Sequence, residues 1–238
     1  MRIPLIINLV LLVGLISTPC QGQSGRTLQH AEKGTLHSIW VPDGYEEVWW
    51  PESPNRKFGN EAREFQASTG MKNEYLAVLV RKKDLNAYYQ GGAHPMQGHY
   101  IYIQWKAQGR MPTSAQTANE MNRAGGSPEK FREAINKGDQ SAKQFIRDFV
   151  PVGTVYSLGI LREWVDGYIA GMAVGLEMVF GGQRMKSAKF MSLGHQKREN
   201  GYYIVSCVTL QEYGSKLDAH LERTMLISKS LTNRALSR

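Results

Sequence analysis

From residue 155 onward, turn residues separate largely apolar segments at regular intervals, and over 168–180 the larger apolar side chains recur with a period of two. Asp166-Gly167 and Asn200-Gly201 are dipeptides typical of tight hairpin turns. The last segment is apolar on both faces, as expected of a central strand that is covered on both sides. The pattern predicts a four-stranded antiparallel meander with strands over 155–164, 168–180, 184–193 and 202–210.

Glycine recurs every four residues in the second of these strands, at Gly167, Gly171 and Gly175. The same spacing marks the small-residue stripe of packed membrane helices, and a buried helix is a further alternative. Only 16 residues lie between Trp164 and Gly181, and they include Asp166 and Glu177, so the segment is short and charged for a membrane span. We therefore predict a strand whose glycine face lets a helix or another backbone approach closely.

Two segments have helical spacing. Leu217, Leu221 and Met225 recur at intervals of four and predict an amphipathic helix over 215–232 that packs across the sheet. A second helix is predicted from Ser127, because the sequence Ser-Pro-Glu supplies a cap, a first-turn proline and an acid at the positive helix end. An antiparallel sheet flanked by helices is an α+β fold.

The front half contains shorter strand patterns. A strand over 36–41 ends at the turn Pro42-Asp43-Gly44, and the chain is expected to return over 45–50 as the second strand of a hairpin. Further predicted strands cover 74–81 and 99–105, and the polar segments 51–73 and 107–126 are predicted as loops or short helices.

The first 22 residues have the layout of a secretory signal peptide: Arg2, an apolar stretch over 5–16, and then small and polar residues. The apolar stretch is too short to span a bilayer. Cleavage after Gly22 would leave 23–238 as a single α+β domain. Two alternatives stay open: an uncleaved N-terminal anchor, and lipidation of Cys20, although Pro19 directly before this cysteine is a poor fit to a lipoprotein signal.

The composition is that of a folded, basic chain. In 238 residues, 29 Lys+Arg stand against 21 Asp+Glu, which gives a net charge of +8 and favours acidic partners. The basic residues are scattered and the chain is predicted to be exported, so no nucleic-acid partner is expected. Arg184, Lys186 and Arg198 are candidates for a basic face that meets an anionic envelope surface, with an ordinary solvated face as the alternative. Cys207 lies in an apolar strand and is predicted to be a buried, inert thiol.

Metal and catalytic motifs are largely missing from the sequence. It has no nucleophile elbow, no zinc-protease helix, no phosphate-binding loop and no calcium loop, so we assign no catalytic residue and expect no cofactor. His94 and His99 are candidate ligands for zinc or copper, with Met96 as a third ligand. Ordinary loop histidines are the alternative, because no nearby Cys, Asp or Glu completes the set.

Aromatic and acidic residues are concentrated in one early segment and one later loop. Paired carboxylates beside aromatic rings can form a cleft for a sugar or a cation and can act as acid and base. The alternative for the first segment is a hairpin with its tryptophans in the core and its glutamates in water. The later group is either an adaptable contact loop or a packed turn. The candidate ligand-binding residues are Trp40, Tyr45, Glu46, Glu47, Trp49 and Trp50, and then Tyr88 and Tyr89.

The back half resembles the PsbP-like α/β/α sandwich of small secreted bacterial proteins. The resemblance lies in the four strands over 155–210 and in a terminal helix that contains Leu217-Asp218-Ala219-His220-Leu221 and Ile227-Ser228-Lys229-Ser230-Leu231. The early Val41-Pro42-Asp43-Gly44-Tyr45 is similar to the Pro-x-Gly-aromatic sequence near the first strands of such domains. The resemblance implies a sandwich-like α+β fold and an accessory or binding domain with no shared catalytic site.

We therefore predict a secreted domain, in the periplasm or outside the cell, that binds another envelope or secreted protein, or a ligand, without catalysis. No membrane span is expected in the mature chain. The alternative is a small secreted hydrolase or metal-dependent enzyme that uses Glu46 and Glu47, or His94 and His99.

Overall fold

The structure, a computed structural model, describes residues 24–68, 75–95, 98–123, 155–180, 183–209 and 217–236. The predicted signal peptide, Cys20 and the helix predicted from Ser127 lie outside the described residues, as do the side chains of Arg184 and Lys186. None of the described helices is both long and apolar enough to cross a membrane.

Ten strands and four helices are found in the described residues. The strands are β1 (Gly25–Glu32), β2 (Thr35–Pro42), β3 (Tyr45–Glu47), β4 (Ala77–Arg81), β5 (Tyr100–Ala107), β6 (Val155–Trp164), β7 (Gly167–Phe180), β8 (Gln183–Arg198), β9 (Gly201–Thr209) and β10 (Thr232–Ala235). The helices are α1 (Arg56–Ser68), α2 (Lys82–Tyr89), α3 (Ser114–Arg123) and α4 (Leu217–Ser230).

Seven strands form one antiparallel sheet in the order β3-β4-β5-β9-β8-β7-β6. Its last four strands are the predicted meander, because β6 pairs with β7, β7 with β8 and β8 with β9. β9 lies between β5 and β8, which explains why both of its faces are apolar. Cys207 of β9 is buried and forms no disulfide. The predicted α+β fold with a four-stranded C-terminal meander is confirmed.

The predicted hairpin between 36–41 and 45–50 is wrong. β2 pairs with β1 on one side and β10 on the other, in a separate three-stranded sheet. β3 instead pairs with β4 in the large sheet. The turn at Asp43-Gly44, where Gly44 has a φ of 83°, therefore carries the chain from one sheet to the other. A turn sequence fixes a local change of direction, but it does not decide which strand pairs with the next one.

Different elements cover the two faces of the large sheet. On one face, α4 and the three-stranded sheet enclose a core that includes Ile101 of β5 and Ile227 of α4. We call it the α4 face. On the opposite face, Phe58 of α1 and Leu85 of α2 pack against a cluster that includes Tyr100 of β5, and α3 packs farther along, against β6 and β7. We call this the α1 face. Helices on both faces agree with the predicted sandwich-like arrangement.

A helix approaches a glycine closely at Gly194 of β8, a position that the sequence pattern did not single out. A Cβ atom at this position would lie 2.3 Å from Ser228 Oγ and 3.0 Å from Thr224 Cγ2, both on α4. Of the β7 glycines for which a close approach was predicted, Gly171 is covered by the side chain of Leu161 from β6, and Gly167 by the His195 backbone carbonyl and the Trp164 ring. The absence of a side chain at Gly194 thus lets α4 rest directly on the sheet.

Arg198 does not contribute to an open basic face. Its guanidinium donates hydrogen bonds to the backbone carbonyls of Leu231 at 2.6 Å and Lys229 at 2.8 Å, where α4 ends. Carbonyls in the last turn of a helix have no partner inside the helix, and a cation there also matches the helix dipole. Arg198 therefore caps α4 and ties it to the end of β8.

Candidate functional site

Glu46 and Glu47 point to opposite sides of β3, because side chains alternate along a strand. Glu46 forms ion pairs with Arg26 and, at 3.2 Å, with Lys82. Glu47 turns inward and is only 3 % exposed. The two carboxylates do not share one site, so the structure forms no acid–base pair at this position.

Glu47 closes the turn that follows β3. Its carboxylate accepts hydrogen bonds from the backbone N–H groups of Trp49, at 2.6 Å, and Trp50, at 3.0 Å. Its backbone carbonyl accepts a third, from Ser53 Oγ at 2.6 Å. Burial raises the pKa of Glu47 to about 7, against the lowering effect of the N–H donors and of Arg63. Glu47 thus sets the direction of the two tryptophans that follow it.

Trp49 and Trp50 leave this turn in different directions. Trp50 is buried in the core of the α4 face, where its Nε1 donates to the carbonyl of Leu76 at 2.7 Å and its ring stacks on His30 at 4.7 Å. The half-buried ring of Trp49 meets Tyr75 edge-on at 5.4 Å and packs against the apolar clusters of both faces, at the edge of the sheet. Two further candidates pack against the same core as Trp50: Trp40 and Tyr45.

Trp49 and Tyr75 begin a connected group of aromatic rings. The ring of Tyr75 lies 4.9 Å from that of Tyr102, which in turn lies 6.2 Å from Tyr100. All four residues pack against the same apolar cluster of the α1 face. Because Tyr100 and Tyr102 are both on β5, two residues apart, their rings point to the same side.

The second part of the group is built by α1, α2 and the segment that follows α2. Phe58 of α1 contacts the rings of Tyr88, at 5.6 Å, and His94, at 4.9 Å. Tyr88 and Tyr89 are the last residues of α2, so they belong to a helix and not to the predicted loop or turn. The complete group, which we call the aromatic face, is Trp49, Phe58, Tyr75, Tyr88, Tyr89, His94, Tyr100 and Tyr102.

Some rings of the aromatic face are buried and others are partly exposed. Phe58 is fully buried and Tyr100 is 7 % exposed. Tyr75 and Tyr102 remain half-buried, and Tyr89 is 48 % exposed. A rigid aromatic surface of this kind offers a large contact area at little cost in side-chain entropy.

Ionisable side chains border the aromatic face. The hydroxyl of Tyr88 donates a hydrogen bond to Glu61 Oε2, and this bond, followed by burial, raises the pKa of Tyr88 to about 12. The guanidinium of Arg63 lies over the ring of Trp49, 4.4 Å from its centre. Both Glu61 and Arg63 are on α1, so this helix supplies one negative and one positive group.

Lys189 places a buried charge beneath the aromatic face. Its side chain is fully buried, and its Nζ lies 4.8 Å from the centre of the Tyr100 ring. Burial lowers the pKa of Lys189 to about 8, so the amine is still mostly protonated at neutral pH. The pKa of His94 is lowered by burial and by the charge of Lys189, against a raising effect of Glu61. At neutral pH the positive charge in the buried part of the aromatic face is therefore carried by Lys189 and not by His94.

His94 and His99, the candidate metal ligands, lie on opposite faces of the large sheet. His94 packs against Phe58 on the α1 face. His99 lies on the α4 face, with its ring 5.7 Å from Tyr45 and 5.8 Å from His220. Among the residues that the structure describes, no group of three or more His, Cys, Asp or Glu could hold a metal ion. The two histidines are thus not brought together around one ion.

A serine–histidine contact that the sequence pattern did not indicate lies under α4. Ser192 Oγ is 2.7 Å from His220 Nε2 and 2.7 Å from Thr224 Oγ1. All three side chains are fully buried. A nucleophile has to meet its substrate, and this serine is enclosed between β8 and α4. The network therefore joins α4 to the sheet by satisfying polar groups in the core.

Only half of the residues of the aromatic face stood out in the sequence as candidates: Trp49, Tyr88, Tyr89 and His94. Tyr100 and Tyr102 alternate with two isoleucines in β5, so their common side could be read from the period of two. Lys189 also carries a local signal, because it is a charged residue at an inward position of a strand. Phe58 and Tyr75 carry none, since they come from a helix and from a segment before β4 that only the fold brings together.

Comparisons with known proteins give little further information. No family model matches the chain, and no curated protein matches it. Among solved structures, the chain is similar to LpqN of Mycobacterium tuberculosis, described as involved in cell envelope biogenesis. The identity is 11 % and the TM-score 0.33, over 89 % of this chain and 91 % of LpqN. At this TM-score the likeness carries no argument about fold or function.

Proposed function

We propose that this chain is a secreted, non-catalytic domain that binds another envelope or secreted protein, or a ligand, through the aromatic face. The observation that carries the proposal is the set of half-exposed rings of Trp49, Tyr75, Tyr88 and Tyr102, which pack against one apolar cluster of the α1 face and are bordered by charged groups. Rings that only fill a core are enclosed, as Trp50 and Tyr203 are. Aromatic residues held rigid at a surface are typical of binding sites.

The other parts of the proposal rest on the sequence. Secretion follows from the signal-peptide layout of residues 1–22. Membership of the PsbP-like superfamily stays a proposal, carried by the strand order, the terminal helix and the sequence 41–45. The separation of Glu46 from Glu47, and of His94 from His99, removes the geometry on which the enzymatic alternative depended.

Site-specific photocrosslinking in the producing cells tests this function. A photoreactive phenylalanine analogue replaces Tyr89, the residue of the aromatic face that is 48 % exposed. The matched control carries the same analogue at Val165, which is 99 % exposed at the β6–β7 turn, on the opposite edge of the sheet.

We expect a discrete adduct from position 89, absent from position 165, whose yield falls at least fivefold when Trp49→Ala is added. That magnitude follows from the loss of one buried aromatic anchor, about 1–2 kcal/mol. The same adducts from both positions, or none from position 89, would contradict the proposal.

A further inference from the structure

Three connections of the chain meet at one end of the large sheet. They are the β6–β7 turn, the β8–β9 turn and the segment that leads from β5 to α3. The backbone N–H of Lys197 donates to the carbonyl of Asp166 at 2.8 Å, and that of Gln108 donates to the carbonyl of Asn200 at 3.0 Å. The three connections are thus tied to one another. We call this region, residues 106–110, 163–166 and 197–202 with Lys229, the loop end.

A tyrosine lies between two lysines across three neighbouring strands of the loop end. Lys106 of β5 is directly opposite Tyr202 of β9, which is directly opposite Lys197 of β8. Residues paired in this way point to the same face of the sheet, with Cβ atoms about 5 Å apart. Both lysines are exposed and Tyr202 is half-buried. The row therefore presents a positive charge on each side of an aromatic ring.

Two further exposed cations lie beside this row. Arg110 follows Gly109, where a Cβ atom would lie 3.1 Å from the ring of Tyr202. The Nζ of Lys229 lies 5.6 Å from the centre of the Trp164 ring. In the part of the chain that the structure describes, none of the four cations of the loop end forms an ion pair. Their charges are therefore available to an external partner.

Acidic residues at the loop end balance only part of this charge. Burial lowers the pKa of Arg198, and the charges of Tyr203 and Asp166 act against that lowering, so Asp166 is matched by Arg198. Beyond this pair, the four exposed cations stand against two exposed acids among the described residues, Glu163 and Glu199. The net charge of the whole chain, +8, adds to the attraction for an anionic surface.

Val165 forms the tip of the β6–β7 turn, because Trp164 pairs with Gly167 and leaves a turn of two residues. Its side chain is 99 % exposed, although such turns favour small or polar residues. The Nε1 of Trp164 donates to Gln196 Oε1 at 2.9 Å, and Gln196 Nε2 donates to the carbonyl of Asp166 at 3.1 Å. An apolar tip is thus held in a fixed position beside a half-buried tryptophan. Apolar, aromatic and basic residues in combination are typical of surfaces that lie at a membrane–water interface.

We propose that the loop end docks on the surface of an anionic lipid bilayer, with Val165 among the headgroups and the four exposed cations facing the lipid phosphates. An acidic protein segment would match the charges but would give the exposed valine no role. The interfacial layer of a bilayer accommodates an apolar tip, aromatic rings and cations together. Tyr100 of the aromatic face precedes Lys106 by six residues on β5, which is about 20 Å along the strand. The aromatic face therefore stays open to its partner while the domain lies on the membrane.

Flotation with lipid vesicles measures this docking. The chain, purified as the producing cells export it, is mixed with vesicles of phosphatidylcholine alone or with about 30 % phosphatidylglycerol. We expect it to partition at least tenfold more strongly onto the anionic vesicles, because each cation near an anionic surface contributes about fivefold. This preference should fall at least fivefold when NaCl is raised from about 25 to about 300 mM, since salt screens exposed charges.

Variants identify the surface that makes the contact. Lys106→Gln combined with Lys197→Gln should lower partitioning onto the anionic vesicles at least tenfold, at about fivefold for each lysine. The matched control, Lys57→Gln combined with Lys83→Gln, removes two exposed lysines of α1 and α2 and should change partitioning by no more than twofold. An equal loss in the two double variants would show that net charge alone drives binding, and would overturn the loop end as the docking surface.

A fluorescent NBD label tests the position of the turn. It is attached to Val165→Cys or, for comparison, to Asn86→Cys at an exposed position of α2; Cys207 is buried. On anionic vesicles, emission from position 165 should rise and shift to shorter wavelength, while emission from position 86 stays unchanged. A change at position 86 alone, or at neither position, overturns the proposed orientation.

Failure to bind anionic vesicles overturns the membrane as partner. Binding to poly-L-glutamate without binding to vesicles, lost in Lys106→Gln combined with Lys197→Gln, would assign the loop end to an acidic protein instead. The crosslinking experiment at position 89 decides the function of the aromatic face independently, because that face lies apart from the loop end.

Discussion

Glu47 and His195 change their protonation on folding in opposite directions. Burial raises the pKa of Glu47 from 4.5 to about 7 and lowers that of His195 from 6.5 to about 4. Between pH 4.5 and 7 the folded chain holds a proton on Glu47 that the unfolded chain has lost, so this group makes stability rise as the pH falls. Between pH 6.5 and 4 the folded chain lacks a proton that the unfolded chain binds at His195, so stability falls as the pH falls. The two contributions offset each other.

Replacing Glu47 by glutamine separates these contributions. Glu47→Gln keeps an acceptor for the N–H groups of Trp49 and Trp50 but removes the titration. We expect its free energy of unfolding, relative to wild type, to increase from pH 4.5 to pH 8 by about 3 kcal/mol in total. Urea unfolding at a series of pH values measures this difference.

The matched control for this measurement is His195→Phe. A phenyl ring preserves the stack on Tyr168, whose ring lies 4.6 Å from that of His195. Relative to wild type, this variant should lose stability as the pH rises from 4 to 6.5, the opposite trend to Glu47→Gln. A difference between Glu47→Gln and wild type that does not change with pH would refute the buried, proton-binding state of Glu47.

At the scale of single residues, the sequence showed which residue types are concentrated in a segment, but not where each side chain lies in the fold. It marked the acidic and aromatic segment over 40–52, and the period of two already implied that adjacent Glu46 and Glu47 face different sides once a strand contains both. It could not show that Glu47 would turn inward and bind backbone N–H groups. That outcome depends on the three-residue length of β3 and on the turn that follows it.

At the scale of whole elements, hydroxyl groups and one glycine fix the position of helix α4 on the sheet. The buried network of Ser192, His220 and Thr224 satisfies its own polar atoms, so sliding the helix along β8 would leave them unpaired at a cost of about 1–3 kcal/mol each. At Gly194, Ser228 Oγ occupies the space where a Cβ atom would stand. Hydrogen bonding and close packing thus specify the same helix position.

A methyl group at position 194 should push α4 away from β8. We expect Gly194→Ala to lower the free energy of unfolding by about 1–3 kcal/mol, as overpacked cores do. Ser228→Ala removes the atom that the new methyl group would meet, and loses only the bond from Ser228 Oγ to the Thr224 carbonyl at 2.8 Å.

A double-mutant cycle by chemical denaturation measures the coupling between these two positions. We expect Gly194→Ala combined with Ser228→Ala to be more stable than the sum of the single effects by about 1 kcal/mol. Strict additivity would mean that α4 does not rest on Gly194.

The elements that the sequence predicted are those that carry their own pattern. The meander strands are long apolar segments separated by clear turn residues, and α4 has apolar residues at every fourth position (Leu217, Leu221 and Met225), so each could be recognised alone. β1 and β10 are largely exposed and polar, and they are strands because β2 lies between them. α2 begins directly after β4, with no side-chain cap to mark its start. Pairing and packing partners distant in the chain decide such elements.

At the scale of the whole molecule, the three-stranded sheet is joined to the large sheet through Tyr203. The hydroxyl of this buried residue of β9 donates to the backbone carbonyl of Thr232 in β10 at 3.0 Å, and it lies 2.7 Å from Nδ1 of His37 in β2. Since the hydroxyl donates its proton to Thr232, it accepts one from His37. One oxygen atom therefore connects two strands of the small sheet to the centre of the large one.

Removing that oxygen should loosen the small sheet before the rest of the molecule. Tyr203→Phe keeps the ring contact with Trp105, whose centre is 4.6 Å away, but leaves His37 and the Thr232 carbonyl without their partner, at a cost of about 1–3 kcal/mol. Local opening exposes amides only in the part that opens, so hydrogen exchange should accelerate in β2 and β10 and remain unchanged in β6, β7 and β8.

Tyr102→Phe is the matched control, because its hydroxyl contacts only the α1 face and its loss should not alter exchange in β2 or β10. Equal acceleration of exchange in both sheets would show instead that they open as one cooperative unit, and that the Tyr203 hydroxyl contributes no separate attachment.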